Sequence, residues 1–206
     1  MKKLFTIQHT QSVHHINGMV GSWAEWELTD LGKCQARAIA QNLAPQLTGG
    51  VKLYCSPQLR ARQTVAPLAE LLSVPVEYRE ELREQNLGEA CGKPVQWLRD
   101  HSAPQRTVDD RILPGAESIR DVWERLLPFS RELLDRPEEM VVCVSHGITL
   151  TIWNSLWLGM EPEDLEHCVL RGRAGGVSCF SQGEDGQCRI HFLADLSYCG
   201  GQNLIN

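Results

Sequence analysis

No two of the eight cysteines (Cys34, Cys55, Cys91, Cys143, Cys168, Cys179, Cys188, Cys199) stand at C-x-x-C spacing, which argues against a zinc knuckle or a thioredoxin-type dithiol. Positive charge is scarce. Twenty Lys and Arg face 26 Asp and Glu, a formal charge of −6, so a nonspecific grip on nucleic acid or on anionic lipid is disfavoured. Long apolar runs are missing as well: Val141 to Val144 is typical, far short of the ~18 residues of a membrane span. Met1-Lys2-Lys3 opens like a signal peptide, but Leu4-Phe5-Thr6-Ile7 is too short an apolar segment to complete one. The expectation is a soluble, unexported, cytoplasmic protein with neither a nucleic-acid nor a membrane partner. Repeats, low-complexity tracts and linker-like stretches are also lacking, so residues 1–206 read as one domain.

With 42% apolar and 22% charged residues, a chain of 206 residues can bury a sizeable core, hiding roughly 70% of its unfolded surface. Cysteines inside apolar runs, such as Cys143 in Val-Val-Cys-Val, behave as small hydrophobes and suit a reducing compartment.

Short β-rich runs alternate with longer helical periods, which predicts an α/β fold: three layers, with a mostly parallel mixed sheet flanked by helices. Leu4 to Ile7 reads as a buried strand, followed by a long polar loop with Gly18, Gly21 and two tryptophans. Thr29 caps a helix whose buried stripe is expected at Leu31, Cys34, Ala38, Ile39 and Leu43. Val51 to Cys55 is a second strand, and Ser56-Pro57 reads as the cap and first-turn proline of a helix reaching about Leu72. A short strand lies near Val76. Residues 84–114, with Gly88, Gly92, Pro94, Pro104 and Pro114, form a lid-like excursion holding one short helix around Trp97. Ser118 to Asp121 has the capping-box pattern, and the stripe Ile119, Val122, Trp123, Leu126, Ser130, Leu133 follows. Met140 to Ser145 is another buried strand, with a helix from Gly147 through Trp157. Val177 to Ser181 and Cys188 to Leu193 read as a hairpin around Gly183 to Gly186.

Ligands of open α/β sheets bind beyond the carboxyl ends of strands. His9 follows the first strand and His146 follows the strand at 140–145, so the two can meet at one edge. Either alone reads more plainly as a polar strand-end residue. Arg60 starts the helix after the second strand, where a helix N-terminus and a guanidinium together suit a phosphate; Arg62 lies about 200° around that helix and reads as solvated. Glu84 stands where regular structure gives way to loop, and alone reads as a surface charge.

Six stretches occur in an order that carries a resemblance: Ile-Gln-His-Thr-Gln-Ser (7–12), Leu-Thr-Asp-Leu-Gly-Lys-Cys-Gln-Ala (28–36), Ser-Pro-Gln-Leu-Arg-Ala-Arg-Gln-Thr (56–64), Leu-Arg-Glu-Gln-Asn-Leu-Gly-Glu (82–89), Gly-Ala-Glu-Ser (115–118) and Val-Ser-His-Gly (144–147). Over essentially its whole length the chain resembles the histidine phosphatase superfamily, the phosphoglycerate-mutase-like fold. The resemblance implies a phosphomonoester hydrolase with a phosphohistidine intermediate and a small phosphorylated substrate. His9 would attack phosphorus, Glu84 would protonate the leaving oxygen and then activate water, and Arg60 and His146 would bind the phosphoryl oxygens. Gln8, Thr10, His15 and Gly147 fall at positions implied to touch substrate. It implies no metal and no cofactor. Phosphoryl transfer needs alignment and neutralised charge above all, and a neutral imidazole beside a protonated acid implies a bell-shaped pH dependence.

The first motif departs from the family's Arg-His-Gly: here it is Gln8-His9-Thr10. Replacing a charged hydrogen bond (~1.5–3 kcal/mol) by a neutral one (~1 kcal/mol) implies a loss of about tenfold in phosphate affinity or rate. Thr10 either crowds the ligand or offers it a hydroxyl. His14 and His15, one of them in place of a family asparagine, either restore positive charge or are two solvated loop histidines. Cys91 replaces a glutamate common in phosphatase-type members. A catalytically silent phosphate binder and a phosphoglycerate-mutase-type transferase are the alternatives; Arg99, Arg106 and Arg111 keep the latter open. Trp23, Trp26 and Trp97 read as packing residues before pocket walls, and Trp123, Trp153 and Trp157 as core.

Overall fold

The computed structural model describes residues 2–200 apart from 137 and 184. Six strands, β1 (Lys2–Gln8), β2 (Val51–Cys55), β3 (Val76–Tyr78), β4 (Met140–Ser145), β5 (Val177–Gln182) and β6 (Cys188–Asp195), form one sheet in the order β3-β2-β4-β1-β5-β6. The first four in that order are parallel, and β5 runs antiparallel to both β1 and β6. The helices are α1 (His14–Asn17), α2 (Asp30–Leu43), α3 (Leu59–Leu72), α4 (Val95–His101), α5 (Ile119–Asp135) and α6 (Gly147–Trp157).

The alternation of strand side chains divides the interior into two layers. On one face Phe5, Ile7, Leu53, Val142 and Val144 pack under Ile39 and Leu43 of α2 and Val65 and Leu68 of α3. On the other, Leu4, Tyr54, Val141 and Cys143 meet Leu126 and Phe129 of α5 and Ile152 and Trp153 of α6. Trp123, Trp153 and Trp157 are buried here, as expected. The two central parallel strands are buried on both faces, which is why they read as continuous apolar runs. All eight cysteines are free thiols. No helix among the described residues is long and apolar enough to cross a membrane.

Several local expectations are corrected. The stripe on α2 is rotated: Cys34 is exposed, and the buried set is Gly32, Gln35, Ala36, Ile39, Ala40 and Leu43. The cause is a close approach that a period count does not see, because a Cβ at residue 32 would stand 1.9 Å from the Gln11 carbonyl oxygen. Thr29 caps α2 as expected, accepting the Gly32 N–H at 3.0 Å. Helix α3 starts at Leu59, not directly after Ser56-Pro57; the Ser56 hydroxyl accepts the Gln58 N–H at 3.3 Å in a turn that precedes it. The loop after β1 contains the short helix α1, and Trp97 lies within α4. The capping box at Ser118 and Asp121 is present.

The excursion is tied back to the loop after β1. Val95 N–H donates to Gly18 O at 2.8 Å and Val20 N–H to Lys93 O at 2.8 Å. It carries a small apolar cluster of its own, Ala90, Leu113 and Ala116.

Candidate active site

Chain topology brings the two histidines together. Gln8 and Ser145 are register partners on the parallel neighbours β1 and β4, so His9 and His146 leave adjacent strands at the same level. His9 N–H donates to Ser145 O at 2.9 Å, and the two rings lie 5.1 Å apart. Both residues are buried.

His9 Nδ1 lies 2.9 Å from Thr10 O. A carbonyl can only accept, so the proton sits on Nδ1 and the Nε2 lone pair is free. Arg60 Nε–H donates to that lone pair at 3.2 Å. The guanidinium is wholly buried and braced by Nη1–H to Ala24 O (2.9 Å) and Nη2–H to Ser22 O (2.8 Å). Three of its five N–H groups are thereby used and two remain. His146 Nε2 meets the Ser56 hydroxyl at 2.7 Å. Since that hydroxyl already accepts the Gln58 N–H, its proton is placed to donate to Nε2, leaving the imidazole proton on Nδ1. Nδ1 is buried with no hydrogen-bond partner, a cost of about 1–3 kcal/mol that an anion beside it would remove.

Burial first, then the Arg60 charge, holds both His9 and His146 well below the usual histidine pKa; His15 and His14 push His9 further in the same direction. Both rings are neutral at neutral pH.

Glu84 reaches the centre from the excursion's first residue. Its Oε1 accepts Thr149 N–H at 3.2 Å and Gln85 N–H at 3.0 Å, and Oε2 accepts Ile148 N–H at 3.4 Å. The carboxylate therefore sits on the N-terminus of α6, where a helix favours negative charge, one turn from His146. Its charge is felt by Arg60, whose pKa it raises against the lowering by burial. The Glu84 backbone is gripped from three sides: N–H to Gln58 Oε1 (2.8 Å), and the carbonyl accepting from Trp23 Nε1 (2.7 Å) and Arg125 Nη2 (3.2 Å). Arg125 also donates to the carbonyls of Glu81 and Arg83 and to Glu117. Trp23 thus borders the site, whereas Trp26 donates to Val20 O within its own loop.

His9, Arg60, Glu84 and His146 are therefore brought together. The flanking residues divide. Gln8 is half-buried, with Oε1 unpartnered, between Gly147 and Gly172; ideal Cβ atoms there would lie 3.4 Å from its Nε2 and 2.6 Å from its Oε1. Thr10 offers the ligand no hydroxyl, because Oγ1 donates to Gly32 O at 2.8 Å and the side chain is buried. It serves the packing of α2 on the loop. His14 is half-buried, whereas His15 is an exposed residue whose ring stacks on that of His9. Their rings lie 5.7 and 5.3 Å from that of His9, the latter stacked, and burial plus neighbouring positive charge lowers their pKa values to about 3 and about 4. Lowered pKa values favour the uncharged ring at both positions, which speaks against the reading in which they restore positive charge. Arg62 is exposed, as expected. Nitrogens of His9, His14 and His15 lie within 4.8 Å of one another, a spacing that could hold a metal ion; the Arg60 N–H on His9 opposes a cation at that atom.

Ser56, read from the sequence only as a helix cap, and Gln58, in the same motif, received no role in the site, and Arg125 and Ser22 were missed altogether. Nothing local marks Arg125, since its partners are carbonyls some forty residues earlier.

The family model described as histidine phosphatase superfamily (branch 1) matches residues 4–195. A protein of Schizosaccharomyces pombe named as a probable phosphatase is 33% identical, over 95% of this chain and 94% of its own. A 2,3-bisphosphoglycerate-dependent phosphoglycerate mutase of a Methylobacterium species is 29% identical, over 73% of this chain and 78% of the relative. Among solved structures, a mycobacterial glucosyl-3-phosphoglycerate phosphatase complexed with VO3 superposes with a TM-score of 0.82 at 23% identity, covering 94% of this chain and 99% of that one. The chain belongs to the histidine phosphatase superfamily, branch 1.

Proposed function

We propose that this protein hydrolyses phosphomonoesters of small metabolites through a phosphohistidine formed on His9, without a metal or other cofactor. One observation carries the reading: a buried imidazole, its proton held on Nδ1, turns its Nε2 lone pair toward the Arg60 guanidinium, in a site that also holds the unpartnered Nδ1 of His146. A phosphoryl group would accept from the two spare Arg60 N–H groups and from His146 Nδ1–H while its phosphorus faces the His9 lone pair.

In the first step Nε2 of His9 forms a bond to phosphorus as the bond from phosphorus to the ester oxygen breaks. Protonated Glu84 gives its proton to that oxygen, releasing the alcohol. In the second, water attacks phosphorus, Glu84 takes its proton, and the phosphorus–nitrogen bond breaks to free phosphate. Arg60 and the His146 Nδ1–H stabilise charge on the equatorial oxygens, a contribution worth about 2.7–4 kcal/mol for one well-placed donor. Gln8 and the Gly147 end of α6 line the same edge, with His15 stacked beside the nucleophile.

Hydrolysis of 4-nitrophenyl phosphate tests the reading. Wild type is expected to turn it over, His9→Ala to abolish turnover, and Glu84→Gln to slow esters of poor leaving groups far more than this activated one. Wild type that is inert while binding inorganic phosphate would establish a silent binder instead.

The mutase-named relative keeps phosphoglycerate interconversion as the second reading. Of the arginines that left it open, Arg111 is paired with Asp121 at 2.7 Å. Interconversion of phosphoglycerates with a bisphosphate primer, at a rate above hydrolysis, would favour it.

A further inference from the structure

A cavity of about 250 Å³ opens beside Glu84, between the end of the excursion, the start of α6 and the segment that follows α6. It begins one residue from two members of the site. Ile148, on its wall, has its N–H 3.4 Å from Glu84 Oε2. Arg171, also on its wall, precedes Gly172, which packs on the Gln8 amide. In the reaction proposed above, on which this inference rests, Glu84 protonates the leaving oxygen. The alcohol must then project from phosphorus on the Glu84 side, toward Ile148.

The lining of that cavity has two characters. Ile148, Leu165 and Val169 supply apolar surface, and Ile148 and Val169 are 40% and 58% exposed, apolar area with nothing over it. Arg106 and Arg171 bring two guanidiniums against the single carboxylate of Glu166, so the lining carries net positive charge. Arg171 makes no hydrogen bond or ion pair with any described residue, and Glu166 is occupied in part by the Val108 N–H at 3.1 Å. A chain of net charge −6 that leaves an exposed, unpaired guanidinium on the wall of a cavity reaching, through Ile148, to within one residue of Glu84 has a place for an anion there. The volume is below the ~300–1,000 Å³ of a drug-sized site, so the occupant is small.

We propose that this cavity receives the leaving group, and that the substrates are phosphomonoesters whose alcohol combines a small apolar portion with one further anionic group, gripped by Arg171 and Arg106.

The probes are phenyl phosphate and 4-carboxyphenyl phosphate, which differ by one carboxylate. Wild type is expected to show a kcat/KM about tenfold higher for the carboxylated ester, the size of one charge-assisted hydrogen bond. Arg171→Ala or Arg106→Ala brings the ratio toward one, Arg171→Lys keeps part of it, and Arg189→Ala, on the distant β5–β6 hairpin, leaves it unchanged. Equal rates for both esters in wild type, or a preference that survives both alanine variants, would overturn the inference while leaving the phosphatase reading intact. Failure to hydrolyse either ester, with no phosphohistidine formed, would overturn both.

Discussion

At Gln8 the chain gives up a charge that the family's first motif carries. His14 and His15, with lowered pKa values, are neutral beside His9 at physiological pH, and Arg60 is the cation hydrogen-bonded to His9. Gln8→Arg is therefore expected to tighten inorganic phosphate inhibition about tenfold, the difference between a neutral and a charged hydrogen bond. Its longer side chain must push the Gly172 segment outward, since the Gln8 amide already fills that space. An unchanged inhibition constant would show that the missing charge has no consequence here. The lowered histidine pKa values also bear on stability. His14 has a pKa near 6.5 when unfolded and about 3 when folded, so between those values the unfolded chain binds more protons. Its contribution is complete above pH ~6.5 and is lost as pH falls toward 3, at up to ~1.4 kcal/mol per pH unit. His9 and His146 act in the same sense. Urea unfolding at several pH values between about 4 and 7 should give a steep decline in wild type and a shallower one in His14→Ala; parallel declines would contradict the assignment.

Among the elements, helix α2 shows what a period count can and cannot read. The Thr29 cap and the reach of the helical stripe to Leu43 were legible from local chemistry. The buried face was not, because it is set by residue 32 lying against the Gln11 carbonyl, a contact between segments some twenty positions apart. Gly32→Ala should therefore destabilise the protein by about 3 kcal/mol, at the upper end of the usual cost of overpacking, measured as a lowered denaturation midpoint. A midpoint within error of wild type would mean that α2 slides at little cost. The same limit hid Arg125 and Gln58. Each acts by gripping the backbone of residues 81–84, and no spacing in either's own helix or turn records a partner so distant. Where the interaction is local, as in the capping box at Ser118 and Asp121, the sequence pattern sufficed.

For the whole molecule, the crossing of the chain makes the site. From β1 it runs to β2 and β3 on one side, and β4 later fills the gap between β1 and β2. Crevices form where strand order reverses in this way, and the carboxyl ends of β1 and β4 deliver His9 and His146 to one such crevice while α3, following β2, delivers Arg60. The strands, the mixed sheet and the meeting of these residues were legible because buried parallel strands read as apolar runs and their ends locate themselves. The cavity at Arg171 was not, since it is assembled from the excursion, the starts of α5 and α6 and the segment after α6, which no single periodic signal joins.

Because His9, its pKa lowered by burial, stays neutral in mild acid, the proposed covalent adduct can be sought there and then preserved by alkaline quenching. Incubation with 32P-labelled 4-nitrophenyl phosphate, whose leaving group needs little protonation, followed by rapid quenching and peptide mapping, should place an acid-labile, alkali-stable label on His9 in wild type, greater in Glu84→Gln, whose second step lacks its base, and absent in His9→Ala. Substrate hydrolysed by wild type with no label on His9, or a label that persists in His9→Ala, would contradict the phosphohistidine mechanism.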